Sequence, residues 1–283
     1  MKRKFYTFCL LACAAVLIPA CSKDDNSNNN NNNNNGPVIN IRLVAGSTYT
    51  YTRTDLDSAN NKIAGTSRDY TVQIRAGSTF IGAYNDWYYR YATDQQNNTK
   101  DTTYIRINTG SSNGVSFTKE VMLYGFSARI AKDFADLIHN NFGAPYPSIA
   151  GPQWEAIVKY HDDNGKGYDV GTQWTIGNVN GTEMSFLING NSVTATLFIT
   201  GKLEAKEEII TVNSKQIKTW KSSVTVDAKV LGSTLASIKT YLWFSDDPDA
   251  QIQIKKESTK ITIPFVGAFN VPGEMQELKT YLQ

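Results

Sequence analysis

This sequence of 283 residues has few of the side chains that most often announce chemistry. Its three cysteines are Cys9, Cys13 and Cys21, and none follows position 21. The body of the chain therefore has no intramolecular disulfide, no cysteine-held zinc and no thiol nucleophile. There are two histidines, His139 and His161, far apart and in no H-E-x-x-H arrangement. No phosphate-cradling glycine loop and no complete S-x-x-K, S-D-N and K-T-G triad set occurs. These absences point away from an enzyme, and the expectation is no catalytic residues, no metal and no cofactor. A carboxylate dyad needs no local motif, so a hydrolase of that kind stands as a lesser alternative. Charge of one sign is also missing. The chain carries 28 basic and 26 acidic residues. Without Lys2, Arg3 and Lys4 the balance is 25 against 26, net −1. Nothing there invites nucleic acid as a partner.

What is present begins at the N-terminus. Lys2, Arg3 and Lys4 precede an apolar stretch from Phe5 to Ile18, too short to span a bilayer as a mature helix. Small Ala20 then meets Cys21. This run resembles the lipobox of bacterial lipoproteins, with Ile18 at the usual leucine position and the less usual Pro19 after it. The resemblance implies cleavage after residue 20 and lipidation of Cys21, which becomes the mature N-terminus. An ordinary secretory signal is the other reading. Ser22, Lys23, Asp24 and Asp25 resemble the surface-export signal of Bacteroidetes-type lipoproteins. The implied address is the outer membrane, lipid-anchored and facing the cell exterior, with the periplasmic face as the alternative. One acyl chain binds only reversibly, and several make attachment permanent.

Asn28 to Asn35 is an unbroken asparagine run closed by Gly36-Pro37. It has no apolar residue to bury and is expected to stay disordered. The organisation is a signal peptide (1–20), a lipidated N-terminus and tether (21–37), and a globular domain (38–283).

From Val38 onward the pattern is period two. Thr48-Tyr49-Thr50-Tyr51-Thr52, Tyr70-Thr71-Val72-Gln73-Ile74, Tyr104-Ile105-Arg106-Ile107, Val224-Thr225-Val226 and Ile252-Gln253-Ile254 alternate. Turn pairs such as Asn113-Gly114, Asn164-Gly165, Asn180-Gly181 and Asn189-Gly190 separate them. The fold class is mainly β, an antiparallel meander forming a curved sheet, half-barrel or sandwich. An amphipathic helix is expected near 128–141, from the spacing of Ile130, Phe134, Leu137 and Ile138. A short C-terminal helix is expected over Gly273 to Gln283, with Met275, Leu278 and Leu282 inward. Gly46-Ser47-Thr48-Tyr49-Thr50 and Gly171-Thr172-Gln173-Trp174-Thr175 share a pattern that hints at two related lobes, about 38–125 and 169–265.

Those glycine-aromatic openings, with the late strand Tyr241-Leu242-Trp243-Phe244-Ser245-Asp246, resemble the half-barrel of LolA-like extracytoplasmic proteins. The resemblance implies a curved sheet around an apolar, lipid-sized cavity. It implies a non-catalytic binding protein for an apolar or lipid-like ligand.

Aromatics are the enriched chemistry. Trp87, Tyr89 and Tyr91 alternate along one strand face, and Trp154, Trp174, Trp220 and Trp243 add further large rings. They read as core filling, as the wall of an apolar pocket, or as a platform for glycans or partner proteins. Two polar stretches read as turns rather than calcium sites. The loop His161 to Gly167 has Lys166 where an oxygen ligand is needed. Asp246-Asp247-Pro248-Asp249 is ordinary turn chemistry.

Overall fold

Alternating threonine and tyrosine form the first strand, β1 (Thr48–Leu56), for a reason visible in its burial. Tyr49 and Tyr51 are buried while Thr48, Thr50 and Thr52 are partly exposed. The next strand repeats this, with Tyr70, Val72 and Ile74 inside and Asp69, Gln73 and Arg75 exposed. In this computed structural model the described residues are 43–78, 87–94, 99–126, 154–188, 191–246, 252–259, 261–263, 269–271 and 273–282. They are mainly antiparallel β.

Two meanders of six strands make most of one 13-stranded sheet. The first runs β1, β2 (Arg68–Ser78), β3 (Trp87–Asp94), β4 (Thr99–Ser112), β5 (Val115–Phe126) and β6 (Trp154–Lys159). After β7 (Gln173–Ile176) and β8 (Thr182–Ile188) come β9 (Asn191–Val212), β10 (Lys215–Val230), β11 (Ser233–Ser245) and β12 (Gln253–Ser258). A separate small hairpin, β13 (Ile261–Ile263) and β14 (Phe269–Val271), precedes β15 (Gly273–Leu282). The second meander is β7, β9, β10, β11, β12 and β15, with β8 also paired to β9. Antiparallel pairing of β1 with β15 joins the two meanders.

Strands of both meanders feed a single apolar core from one face. Tyr49, Ile105, Leu123, Val158, Trp174, Leu203, Val224, Phe244, Ile254 and Leu278 all belong to it. A broad sheet that buries one face in one core has to curl, and the right-handed twist of strands supplies the curl. The sheet does not close. Its ends, β6 and β7, share no ladder, but the Trp174 indole bridges them by donating to the Ile157 carbonyl at 2.7 Å. That indole lies against Gly201, its register partner on β9, where any Cβ would collide with the ring.

Buried polar bonds hold the β1–β15 junction in register. Tyr51 donates its hydroxyl to the Gln253 carbonyl and Tyr70 donates to Gln276 Oε1, both at 2.6 Å. Arg53 pairs with Glu274. A one-residue slip would strand these groups in apolar surroundings, so they specify the register as well as stabilise it.

The two glycine-aromatic openings have matching backbone geometry. Gly46 (φ 91°) donates to Ile74 O and Gly171 (φ 95°) to Leu203 O, at 2.8 and 2.7 Å. Ile74 N returns to Ser47 O and Leu203 N to Thr172 O, each at 3.0 Å. Ser47 N closes on Val44 O, and Thr172 N on Asp169 O. The positive φ explains the glycine, and the shared register puts Tyr49 and Trp174 into the core. Each opening begins one of the two meanders.

The expected C-terminal helix is a strand, β15. Lys279 is an extra residue at the point where the β1 register shifts between Thr50 and Tyr51. Leu278 stands opposite Tyr51 on the core face, whereas Met275 stands opposite Thr54 and is buried on the other side. Apolar residues on both faces, followed by the bulge at Lys279, imitated helical spacing. The expected helix at 128–141 lies outside the described residues. Asn113-Gly114 turns with φ of 52° and 78°, as hairpins of this type require. Two turns with no such signature behave alike: Asn213-Ser214 (49°, 62°) and Leu231-Gly232 (50°, 82°).

Candidate functional site: an outer aromatic face and a polar mouth

Residues opposite one another across a ladder share a face, so register alone places the aromatic strand. Tyr89 pairs with Arg75 and Tyr91 with Gln73, and both β2 partners are exposed on the face away from the core. Across β4 and β5, Tyr89 pairs with Tyr104, and Tyr104 with Tyr124. Glu155 follows on β6. Tyr89, Tyr104 and Tyr124 thus occupy adjacent positions in one row perpendicular to the strands. Neighbouring strands are about 4.8 Å apart, so the row spans roughly 10 Å. Trp87 pairs with Ser78 at the end of the same strand. Tyr104 and Tyr124 escaped sequence reasoning because they belong to different strands, and only register unites them.

The outer face of the second meander carries another aromatic pair. Trp243 and Tyr241 lie 6.1 Å apart by ring centroid. Lys221 Nζ sits 4.8 Å from the Trp243 ring and 4.9 Å from the Tyr241 ring. Lys255 covers Trp243 and Lys239 covers Tyr241, each at 4.7 Å. The Trp243 indole donates to Glu208 at 2.5 Å. Burial alone would raise Glu204 nearby, but hydrogen bonds from Lys202, Ser223 and Lys239 outweigh it and hold the carboxyl at about 2. This face is satisfied by its own cations and carboxylates.

Near the C-terminal ends of β6 and β11, four rings stand in sequence. Phe117 meets His161 at 5.6 Å, His161 meets Trp220 at 5.3 Å, and Trp220 meets Tyr160 at 5.1 Å. His161 Nδ1 lies 2.7 Å from the Thr118 carbonyl, so that nitrogen carries the proton in the neutral ring and Nε2 is the acceptor. The loop that presents His161 is the expected polar turn. Asp162 Oδ1 accepts from the amides of Asn164 and Lys166, both at 2.9 Å. Among the described residues, no group of three or more His, Cys, Asp or Glu is placed to hold a metal.

Asp246 continues the β10–β11 ladder by donating its amide to Lys218 O at 2.8 Å. Burial raises its carboxyl above the ordinary range; Lys218 and the Trp220 N–H oppose this, Glu207 adds to it and His161 opposes it. The Trp220 N–H acts on the carboxylate without reaching full hydrogen-bond geometry. A carboxyl raised by folding contributes stability only below its unfolded value of about 3.9 and loses that contribution as pH rises through the folded value. Ionised Asp246 therefore weighs against the fold at neutral pH. Asp246→Asn is expected to raise Tm at pH 7, with the gain vanishing below about pH 4. Thermal melts of both proteins across pH 3–8 check this, and an equal gain at every pH contradicts it.

Of the residues singled out in the sequence, Tyr89 and Tyr91 hold the register positions opposite Arg75 and Gln73. Cys21, Ser22, Lys23, Asp24 and Asp25 lie outside the described residues, as do Asp247 and Asp249.

No protein-family model and no curated protein matches this sequence. Among solved structures, the chain is similar to the crystal structure of a candidate lipoprotein from Parabacteroides distasonis ATCC 8503. The match has 12% identity and a TM-score of 0.35, over 87% of this chain and 100% of that one.

Proposed function

We propose that this is a lipid-anchored, surface-exposed outer-membrane protein acting as a non-catalytic binding module, whose outer aromatic face takes a glycan. The observation that carries the ligand assignment is the row Tyr89–Tyr104–Tyr124, on the side of the sheet where Gln73 and Arg75 are exposed. Flat apolar sugar faces stack on aromatic rings, and the row sets three tyrosines at successive register positions across the strands. Cys21 and the four residues after it support the anchor and the address.

The lipid-in-cavity reading has less behind it. Where the two halves of the sheet meet, Leu43, Tyr51, Ile74, Ile105, Leu123 and Phe244 line a gap of about 10 Å³. This gap, among the described residues, has room for roughly one water and is not itself a place for an acyl chain.

Unacylated full-length mature protein, tested by calorimetry against a panel of oligosaccharides, checks the reading. Tyr104→Ala is expected to weaken the best binder about tenfold, the equivalent of one lost stacking contact. A panel with no binder, or a variant that binds as tightly as the parent, removes the glycan assignment.

A further inference from the structure

The polar mouth contains two buried donors that make no hydrogen bond of full geometry. Tyr160 is fully buried, and its hydroxyl has no hydrogen-bond partner. The Trp220 indole N–H, on the ring that packs against Tyr160, is likewise buried and acts on the Asp246 carboxylate only from beyond full hydrogen-bond geometry. Native interiors satisfy nearly all such groups, so these two adjacent donors mark a place where something is held.

The third wall of the place is Asp246. Trp220 pairs with Phe244 across the β10–β11 ladder, and Lys218 with Asp246 one step further along the same face. Asp246 therefore shares the core face with Trp220, at its outer end. Around these three groups the backbone is unusual. Glu207 has φ 56° within β9, near the register shift between Thr219 and Lys221. Such bulges re-aim side chains and concentrate at sites. Gly167 brings its loop over Trp220: a Cβ there would stand 3.6 Å from the indole and 3.5 Å from Lys206 Nζ. Lys206 Nζ itself covers the Trp220 ring at 5.3 Å.

We propose that Tyr160, Trp220 and Asp246 bind one hydroxyl group, whose oxygen accepts from the Tyr160 O–H and the Trp220 N–H and whose proton is given to the Asp246 carboxylate. The match is one of valence. A hydroxyl oxygen has two lone pairs for two donors and at least one proton for an acceptor. An ordered water has this chemistry, and so does a hydroxyl of a small polyol or sugar. Buried waters in proteins typically make about three such bonds. The site is independent of the glycan reading of the outer face, because it stands on the opposite side of the sheet and shares no residue with it.

Tyr160→Phe in the full mature chain tests this, because it removes only the orphan oxygen. If the hydroxyl is held, the variant melts about 2–5 °C lower than the parent. If the place is empty, deleting an unpaired buried hydroxyl leaves Tm equal or higher, and the proposal is overturned. A high-resolution crystal structure gives a second reading. One ordered oxygen within about 3 Å of both Tyr160 Oη and Trp220 Nε1 supports the site, and bare density there overturns it. Glycerol and glucose titrations separate the sources. A Tm rise in the parent that Tyr160→Phe abolishes assigns a ligand hydroxyl. A lower Tm in Tyr160→Phe with no polyol response in either protein assigns a water.

Discussion

Trp174→Ala is expected to cost about 3–5 kcal/mol, the usual range for emptying a large aromatic site, and to lower Tm by about 10 °C or more. The ring does two jobs at the unladdered junction of β6 and β7. It fills the space above Gly201, and it satisfies the Ile157 carbonyl at 2.7 Å. Its removal leaves a cavity and an orphaned acceptor together. The pairing with Gly201 makes a sharper test than the single variant. Gly201→Ala alone forces the indole aside and is expected to cost about 1–3 kcal/mol. In a Trp174→Ala background the added methyl has free space, so the same change should be near neutral. Denaturant unfolding of all four proteins gives the coupling energy, expected to exceed about 1 kcal/mol. Additive costs would mean that Trp174 does not press on Gly201 in solution.

Cys21→Ser is the second change with a large expected effect. It removes the only thiol that remains once residues 1–20 are cleaved. Each buried methylene of an acyl chain contributes about 0.8 kcal/mol to membrane attachment, so a multiply acylated terminus is held essentially permanently. The expected result in a host with lipoprotein machinery is loss of palmitate labelling and a shift from the membrane to the soluble fraction. Replacing Lys23, Asp24 and Asp25 by alanine should leave labelling intact while protecting the protein from protease added to whole cells. Unchanged fractionation of Cys21→Ser would refute the anchor. Unchanged protease sensitivity in the triple variant would refute the export role of those residues.

The strands were legible because their chemistry is local. Threonine and tyrosine alternating in Thr48 to Thr52 suit one solvated and one buried face, and Asn113-Gly114 tolerates the left-handed backbone of its turn. β15 was misread because Met275 and Leu278 serve opposite faces of one strand, three residues apart, a spacing that periodicity does not separate from a helix. Leu231 sits at φ 50° and fully exposed, so the geometry of the hairpin overrode residue preference. The candidate sites were less legible. Trp87, Tyr89 and Tyr91 were visible as one strand, but their neighbours Tyr104 and Tyr124 arrive through register set by distant turns. The mouth was invisible for the same reason. Tyr160 and Asp246 follow the ends of β6 and β11 while Trp220 lies within β10, and reading His161 as a turn residue does not reveal what the turn brings together.

The pairing of β1 with β15 ties timing to topology. Thr48 and Leu282, at opposite ends of the described chain, are register partners. Closing such a long loop is entropically slow, and strand order of this kind belongs to the late-folding end of the spectrum. A chain delivered N-terminus first leaves β1 with one edge unpaired until β15 emerges. The sheet cannot be completed while β15 is still being made. Under the proposed export, an architecture that postpones its own completion keeps the chain thin enough to pass a translocation channel.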